Sequence, residues 1–332
     1  MIKIFNKQKL KKENHKVIKD YTVLYKKFQR RLSSGKVDEL LRSINIPYVN
    51  IFNDLMKKEI DKKYMENLYS NLSNSKIIKN KTLLRILSKN EVFGGNIFTS
   101  RNNYLILGDN ELINDNNATL TPYHELFHLL TTRIDNKNTV RIGLQINDYG
   151  LGINEGYTEL LTKRYFSKYS NNDYNAYPHF VWYMQMFEDI VGKEKLMDYY
   201  LNSKQEDFEN DLIKLSSKNG VINLFNKIDE LFINEEKLFD IQKKYLYLNE
   251  ELDKDKMENY YEENKEKRML IYEMISYLYQ NKQIELLKEK KISKEDFEKN
   301  LLDFSSRNEK IKDKIENEED LYRDYFKNDC VK

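Results

Sequence analysis

Helix-breaking residues are scarce along this chain, and their scarcity constrains the fold more than any other feature. The 332 residues include only 3 prolines and 10 glycines, whereas tyrosine and phenylalanine occur 25 and 16 times. Hydrophobic residues make up 40% of the chain, which is enough for a core, so the composition excludes disordered and collagen-like chains. We therefore expect a mostly helical globular protein with an aromatic core.

Short apolar runs in the first half of the chain predict a small β-sheet. Residues 44–52, 91–99 and 104–108 are typical of short strands. Between the first two of these runs, residues 54–72 carry apolar side chains at helical spacing. The combination predicts an α+β fold that is predominantly helical.

The second half of the chain is expected to be almost entirely helical. Ser293 and Asp296 fit a capping box at the start of one helix, and we interpret the charged run at 253–268 as a solvated face or loop. We therefore divide the chain into an N-terminal α+β region, residues 1–170, and a helical C-terminal region, residues 171–332.

Charge and cysteine content exclude several classes of protein. The net charge of +2 argues against nucleic-acid binding and membrane-surface binding. The single cysteine, Cys330, excludes an intramolecular disulfide and a cysteine zinc site. No apolar run reaches the ~18 residues that a transmembrane helix needs. A cytoplasmic location is the default expectation, and export without a signal peptide stays open.

A motif for metal binding lies in the middle of the chain. The segment TPYHELFHLL begins at Thr121, which is a candidate N-cap, and Pro122 suits the first helical position. On a helix that starts there, His124 and His128 lie one turn apart on one face, where two neutral imidazoles can chelate one Zn²⁺. Glu125 projects beside them, where a metal-bound water would sit.

A second motif follows in GLGINEGYTELL, residues 150–161. Its first two glycines predict a turn that leads into another helix. Glu155 and Glu159 lie one turn apart on that helix, where two carboxylates on an open surface would repel each other. Beside a cation, Glu155 becomes a third metal ligand and Glu159 an acceptor for an imidazole N–H, which completes a His₂Glu site.

The pair HELFH and INEGYTE resembles the gluzincin branch of the zincin metallopeptidases, and its second part is also similar to zincin-like proteins of AT-rich bacterial genomes. The resemblance implies a zincin-like core with a small N-terminal β-sheet and an active-site helix. It also implies one Zn²⁺ per chain, with His124, His128 and Glu155 as ligands. Glu125 would be the general base, and Glu159 would orient the first histidine.

The motifs do not identify the group that stabilises the oxyanion. His179, Tyr149 and Tyr157 are candidates, although a tyrosine beside such helices is usually a core residue and a histidine at a helix start usually has a structural role. By the same resemblance, the strand at 104–108 would pair with an extended peptide. The helical region after residue 170 would form the other wall of the cleft.

These features predict a zinc-dependent peptidase whose substrate is a peptide or a protein. The chain has no motif for gripping a free amine, which favours an endopeptidase. Two alternatives stay open. One is a zincin-fold protein without turnover that binds a partner, and the other is a helical interaction protein in which both motifs are coincidental. The oligomeric state and the substrate sequence are left open by these motifs.

Overall fold

The computed structural model describes residues 47–60, 62–73, 75–79, 94–98, 103–107, 120–134, 139–169, 177–248 and 254–316. Most of these residues are helical, and short strands supply the remaining regular structure. The helices are α1 (Pro47–Glu59), α2 (Lys62–Ser73), α3 (Thr121–Thr131), α4 (Leu151–Phe166), α5 (Pro178–Val191), α6 (Lys193–Asn202), α7 (Gln205–Leu215), α8 (Lys218–Leu248), α9 (Lys254–Lys288) and α10 (Lys294–Glu316). The strands are β1 (Ser75–Lys79), β2 (Gly94–Phe98), β3 (Asn103–Leu107), β4 (Arg133–Ile134), β5 (Val140–Ile142) and β6 (Gln145–Ile146).

The chain divides into two compact units. Unit 1 comprises Met1–Ile142 with Leu161–Tyr174, and unit 2 comprises Gly143–Leu160 with Asn175–Lys332. The division falls within α4, because the residues of this helix as far as Leu160 belong to unit 2 and the rest belong to unit 1.

Unit 1 contains a small mixed sheet with β3 in its centre. β1 pairs with β3 in parallel, with Ser75 opposite Asn103. β2 pairs with β3 in the antiparallel sense, with Gly94 opposite Leu107. A shorter antiparallel pair, β4 with β5, follows α3 along the chain.

Aromatic rings form the core of unit 1 around α3, which packs against α1, α2, β2 and β5. Phe166 stacks on Phe52 and on Tyr123, with ring centroids 5.3 Å and 4.3 Å apart. Phe127 meets Phe52 edge to face at 5.0 Å. All four rings are buried, so the aromatic core that the composition predicted is confirmed for this unit.

Unit 2 is a helical assembly around α9, which packs against α5, α7, α8 and α10. Its core includes Phe208, which contacts Phe187 edge to face at 5.3 Å and Phe225 at 5.7 Å. Ile271 and Ile275, one turn apart on α9, are fully buried. The expectation that the second half of the chain is helical is confirmed for its described residues.

The predicted strand at 44–52 is wrong where the structure describes it. Residues from Pro47 onwards form α1, because proline suits the first position of a helix and Phe52 and Met56, one turn apart, are both fully buried. The helical spacing at 54–72 is confirmed, although it is divided between α1 and α2.

The other two predicted strands are confirmed within the described residues. β2 lies inside the segment 91–99, and β3 covers the predicted 104–108 except Gly108, which lies outside the described residues. The α+β fold class is therefore confirmed at the level of a mostly helical chain with a small sheet.

Two expectations for the C-terminal helices can be compared with the structure. The capping box is confirmed, because the Asp296 N–H donates to Ser293 Oγ at 3.0 Å and the Ser293 N–H donates to Asp296 Oδ2 at 3.1 Å. The charged run at 253–268 is a helical face rather than a loop, because α9 begins at Lys254. Glu262, Glu263 and Glu266 are exposed on it as expected, whereas Arg268 is only 2% exposed. No helix among the described residues is long and apolar enough to cross a membrane.

Candidate metal centre

The two histidines of the first motif lie on α3, which begins earlier than predicted. Thr121 is the first helical residue rather than the cap, and within the described residues no side chain caps this end. Instead, Pro122 occupies the first turn and the His124 N–H donates to the Leu120 carbonyl oxygen at 3.1 Å. This start leaves His124 in the first turn and His128 in the next, on the same face of the helix.

The two imidazoles converge in a buried environment. His128 is fully buried and His124 is 6% exposed, and their Nε2 atoms lie 3.0 Å apart. A tetrahedral Zn²⁺ bound at ~2.0–2.1 Å keeps two ligand nitrogens about 3.3 Å apart. The observed separation is therefore close to that of two nitrogens that share one ion.

Glu155 lies on α4 and is fully buried. It joins His124 and His128 in one group, in which each residue offers a ligand atom and these atoms all lie within 4.8 Å of one another. Such a group could hold a metal ion. Two imidazole nitrogens and one carboxylate oxygen are a donor set that zinc uses when one coordination position is left for water or substrate.

Two further acidic residues of the motifs are buried as well. Glu125 is 1% exposed and Glu159, one turn beyond Glu155 on α4, is 4% exposed. Ionised carboxylates are costly to bury unless positive charge compensates them. A divalent cation would offset part of this cost, so the residues present fit a metal centre. The roles of Glu125 as base and of Glu159 as imidazole acceptor stay predictions.

The C-terminal end of α3 is held by two asparagines of α2 that sequence reasoning missed. Asn67 Nδ2 donates to the carbonyl oxygens of Leu130 at 2.5 Å and Thr132 at 3.1 Å. Asn71 Nδ2 donates to those of Leu129 at 2.6 Å and Thr132 at 3.0 Å. The last carbonyls of a helix have no partner within the helix, so these amides satisfy them. The only trace in the sequence is the spacing of the two asparagines by one helical turn.

Polar contacts also fix α4 on either side of Glu155. Asn154 Oδ1 accepts a hydrogen bond from the Leu144 N–H at 3.2 Å. Thr158 Oγ1 lies 2.7 Å from the Asn154 carbonyl oxygen, to which it donates, and 2.7 Å from the Tyr200 hydroxyl. These buried contacts restrain the rotation of α4 about its axis and hence the direction of the Glu155 side chain.

His179 lies in a buried ion-pair network of unit 2. It is fully buried near the start of α5, and its Nδ1 lies 3.3 Å from Glu235 Oε1 on α8. Arg268 on α9 donates from Nη2 to the same oxygen at 3.0 Å. Burial alone would raise the pKa of Glu235, but Arg268 and His179 more than offset it and hold the pKa below its usual value. The network gives His179 a structural partner, and its role at an oxyanion stays a prediction.

The two candidate tyrosines also have carboxylate acceptors within unit 2. The Tyr157 hydroxyl donates to Glu188 Oε1 at 3.2 Å, and the Tyr149 hydroxyl donates to Glu209 Oε1. Burial and the hydrogen bond to Glu209 raise the pKa of Tyr149. The oxyanion role of either tyrosine likewise stays a prediction.

Comparison of the chain with protein-family models, with curated proteins and with solved structures finds no match. The resemblance to gluzincins therefore rests on the two sequence motifs and on the closeness of His124, His128 and Glu155.

Proposed function

We propose that this chain is a zinc-dependent peptidase with a zincin-like core. The observation that carries the proposal is the buried group of His124, His128 and Glu155, whose ligand atoms lie within 4.8 Å of one another. Glu125 adjoins this group in the sequence and is itself buried. If the HExxH sequence were a chance match, a buried glutamate from a second helix would not be expected beside its two histidines.

Zinc is the metal that the donor set favours. Two imidazoles and one carboxylate suit a tetrahedral Zn²⁺ site, whereas Ca²⁺ and Mg²⁺ prefer shells made of oxygen atoms. Site geometry and metal supply decide the occupant where several transition metals compete, so metal content is the first property to measure.

The reaction that we assign is hydrolysis of a peptide bond. When bound, Zn²⁺ lowers the pKa of a water molecule and polarises a carbonyl group. Glu125 accepts the proton of the attacking water and donates it to the leaving amine. Glu159 orients an imidazole by accepting its N–H, and we assign the enzyme to the endopeptidases.

Metal content of the purified full chain tests the site itself. We expect about one zinc per chain by mass spectrometry, because three ligands with one open position are the usual composition of a catalytic zinc site. Glu155→Ala should lose most of this zinc. Glu266→Ala, at an exposed position of α9, is the matched control and should keep it. Equal zinc in all three proteins, or no zinc in any of them after zinc is added and dialysed, would contradict the metal site.

Cleavage of an unfolded protein substrate tests the reaction. We expect Glu125→Gln to keep its zinc and to lose cleavage by a factor of about 100 or more, because general base catalysis typically contributes 10²–10⁴-fold. New peptide termini are counted by mass spectrometry, with Glu266→Gln as the control. Cleavage that survives in Glu125→Gln would overturn the role of Glu125. Zinc binding without any cleavage would favour the partner-binding alternative.

A further inference from the structure

A buried carboxylate from a distant helix holds the start of α4. Asp229 lies on α8 and is 8% exposed. Its Oδ2 accepts the Gly150 N–H at 2.7 Å, and its Oδ1 accepts the Gly152 N–H at 2.9 Å. The first N–H groups of a helix have no partner within the helix and carry partial positive charge, so a carboxylate both satisfies and stabilises them.

The same end of α4 approaches α8 too closely for any side chain to intervene. A Cβ atom at Gly152 would lie 2.9 Å from Ile228 Cγ2 and 3.0 Å from the Ile228 carbonyl oxygen. Ile228 immediately precedes Asp229 in the sequence. The glycine therefore allows the backbone of α4 to approach α8, and the carboxylate then bonds to that backbone.

One turn further along, α4 makes a similar approach to α5. A Cβ atom at Gly156 would lie 2.6 Å from Phe180 Cβ and 2.7 Å from the Phe180 carbonyl oxygen. Gly152 and Gly156 thus let α4 approach both neighbours laterally. Lateral packing of glycines does not prevent a helix from sliding along its axis, whereas hydrogen bonds to its terminal N–H groups do.

The position of Glu155 depends on this restraint along the axis. Glu155 lies three residues beyond Gly152, within the next turn, and the Asn154 N–H already donates to the Gly150 carbonyl oxygen at 2.9 Å. A slide or fraying of the first turn would move the Glu155 carboxylate by a comparable distance. Metal–ligand distances tolerate only about ±0.2 Å, so such a movement would weaken binding.

We infer that Asp229 is a positioning residue for Glu155, so that the metal affinity of the centre depends on a carboxylate that is not itself a ligand. The inference rests on the proposed metal site. Asp229 acts through the backbone of α4, since it accepts hydrogen bonds from the N–H groups of Gly150 and Gly152.

The test is a double-mutant cycle between Asp229 and Glu155. Asp229→Asn keeps the shape of the side chain but replaces one acceptor oxygen with a donor that faces backbone N–H groups. We expect its zinc dissociation constant, measured by competition with a fluorescent chelator, to rise by about tenfold or more, the range seen when partners of metal ligands are removed. Asp303→Asn, at an exposed position of α10, is the control and should leave it unchanged.

The second arm of the cycle separates positioning from general destabilisation. In Glu155→Ala the two histidines remain, and Cu²⁺ is the probe for all four proteins of the cycle, because it binds imidazole more tightly than zinc does. We expect Asp229→Asn to leave the Cu²⁺ affinity of this variant unchanged, because the ligand on which Asp229 acts is gone. The unfolding midpoint of each metal-free variant shows that it is folded.

Three results are decisive. If the wild type binds no zinc, the proposed function fails and the inference fails with it. If the wild type binds zinc and Asp229→Asn binds it equally well, the inference alone is overturned. If Asp229→Asn weakens Cu²⁺ binding in the Glu155→Ala background by the same factor as it weakens Cu²⁺ binding in the wild type, Asp229 merely holds the fold and the inference is again overturned.

Discussion

The two helices that carry the candidate ligands are held at opposite ends by opposite chemistry. The C-terminal end of α3 is bound by hydrogen-bond donors, because the side-chain amides of Asn67 and Asn71 donate to its last carbonyl oxygens. The N-terminal end of α4 is bound by a hydrogen-bond acceptor, because the Asp229 carboxylate accepts hydrogen bonds from its first N–H groups. A helix exposes carbonyl oxygens at its C-terminus and N–H groups at its N-terminus, so the two ends require partners of opposite kinds. Two neutral amides serve one end and a charged carboxylate the other.

This difference makes only one of the two contacts sensitive to pH. Asparagine amides do not titrate, so the contact at the end of α3 is the same at any pH near neutrality. Burial raises the pKa of Asp229 to about 6, although the N–H groups of Gly152, Gly150 and Leu151 lower it. The contact at the start of α4 therefore changes its charge within an accessible pH range.

The largest effect is expected where the neutral contact is removed. Asn67→Ala combined with Asn71→Ala deletes four hydrogen bonds to carbonyls at the end of α3. At about 1 kcal/mol each, the free energy of unfolding should fall by roughly 3–4 kcal/mol. Urea unfolding measures this loss.

The same variant sharpens the comparison through its pH dependence. The loss should be the same at pH 5.5 and pH 7.5, because no titrating group takes part in the contact. Asn223→Ala, at an exposed position of α8, is the control and should change stability by less than about 0.5 kcal/mol. A loss no larger than that of the control would show that water replaces the two amides without cost.

An intermediate effect on the free energy of unfolding is expected when a side chain is added where α4 lies closest to α5. Gly156→Ala would place a methyl group 2.7 Å from the Phe180 carbonyl oxygen, so α5 must move. We expect a loss of about 2 kcal/mol by overpacking, measured by urea unfolding. Gly220→Ala is the matched control in α8, where the new Cβ would lie 3.1 Å from the hydroxyl oxygens of Ser216 and Ser217 rather than against the backbone of another helix. The Ser217 hydroxyl accepts the Gly220 N–H at 3.1 Å. It should change the free energy of unfolding by less than about 1 kcal/mol, because the helix propensity of alanine offsets any weakening of the Ser217 hydrogen bond. Equal effects of the two substitutions would mean that α4 needs no glycine here.

The smallest effect is the pH dependence of the charged contact. The pKa of Asp229 is about 6 in the folded protein, above the 3.8 of an exposed aspartate. The folded state thus binds this proton more tightly than the unfolded state does. Protonation of Asp229 therefore stabilises the fold fully below the unfolded pKa, and this stabilisation is lost as the pH rises through about 6. Relative to Asp229→Asn, the metal-free wild type should gain about 1 kcal/mol in free energy of unfolding between pH 7.5 and pH 5.

The comparison with Asp229→Asn isolates this contribution. Other titrating groups, including the histidines of the candidate centre, are present in both proteins and cancel in the difference. Tyr149, whose pKa is raised by burial, by Glu209 and by Asp229, is neutral over this range. A difference between the two proteins that does not change with pH would mean that Asp229 keeps one charge state throughout.

Local features of the fold were predictable because their partners are neighbours in the chain. The spacing of His124 and His128 places them on one face of any helix, and the capping box of Ser293 and Asp296 spans a single turn. The strand predicted over Pro47 was wrong because a short apolar run is compatible with both the strand period and the helix period. The burial of Phe52 and Met56 against other elements favours the helix.

The sequence by itself determined the chemistry of the candidate centre: two imidazoles at helical spacing, and a carboxylate in a second helical motif. Only the tertiary structure decided that Glu155 lies with them, and which residues hold the two helices. Asp229 is 79 positions from the Gly150 that it contacts, and Asn67 is 63 from Leu130. Such contacts leave no periodic signal in the sequence, because they depend on how distant helices pack rather than on the geometry of any one of them.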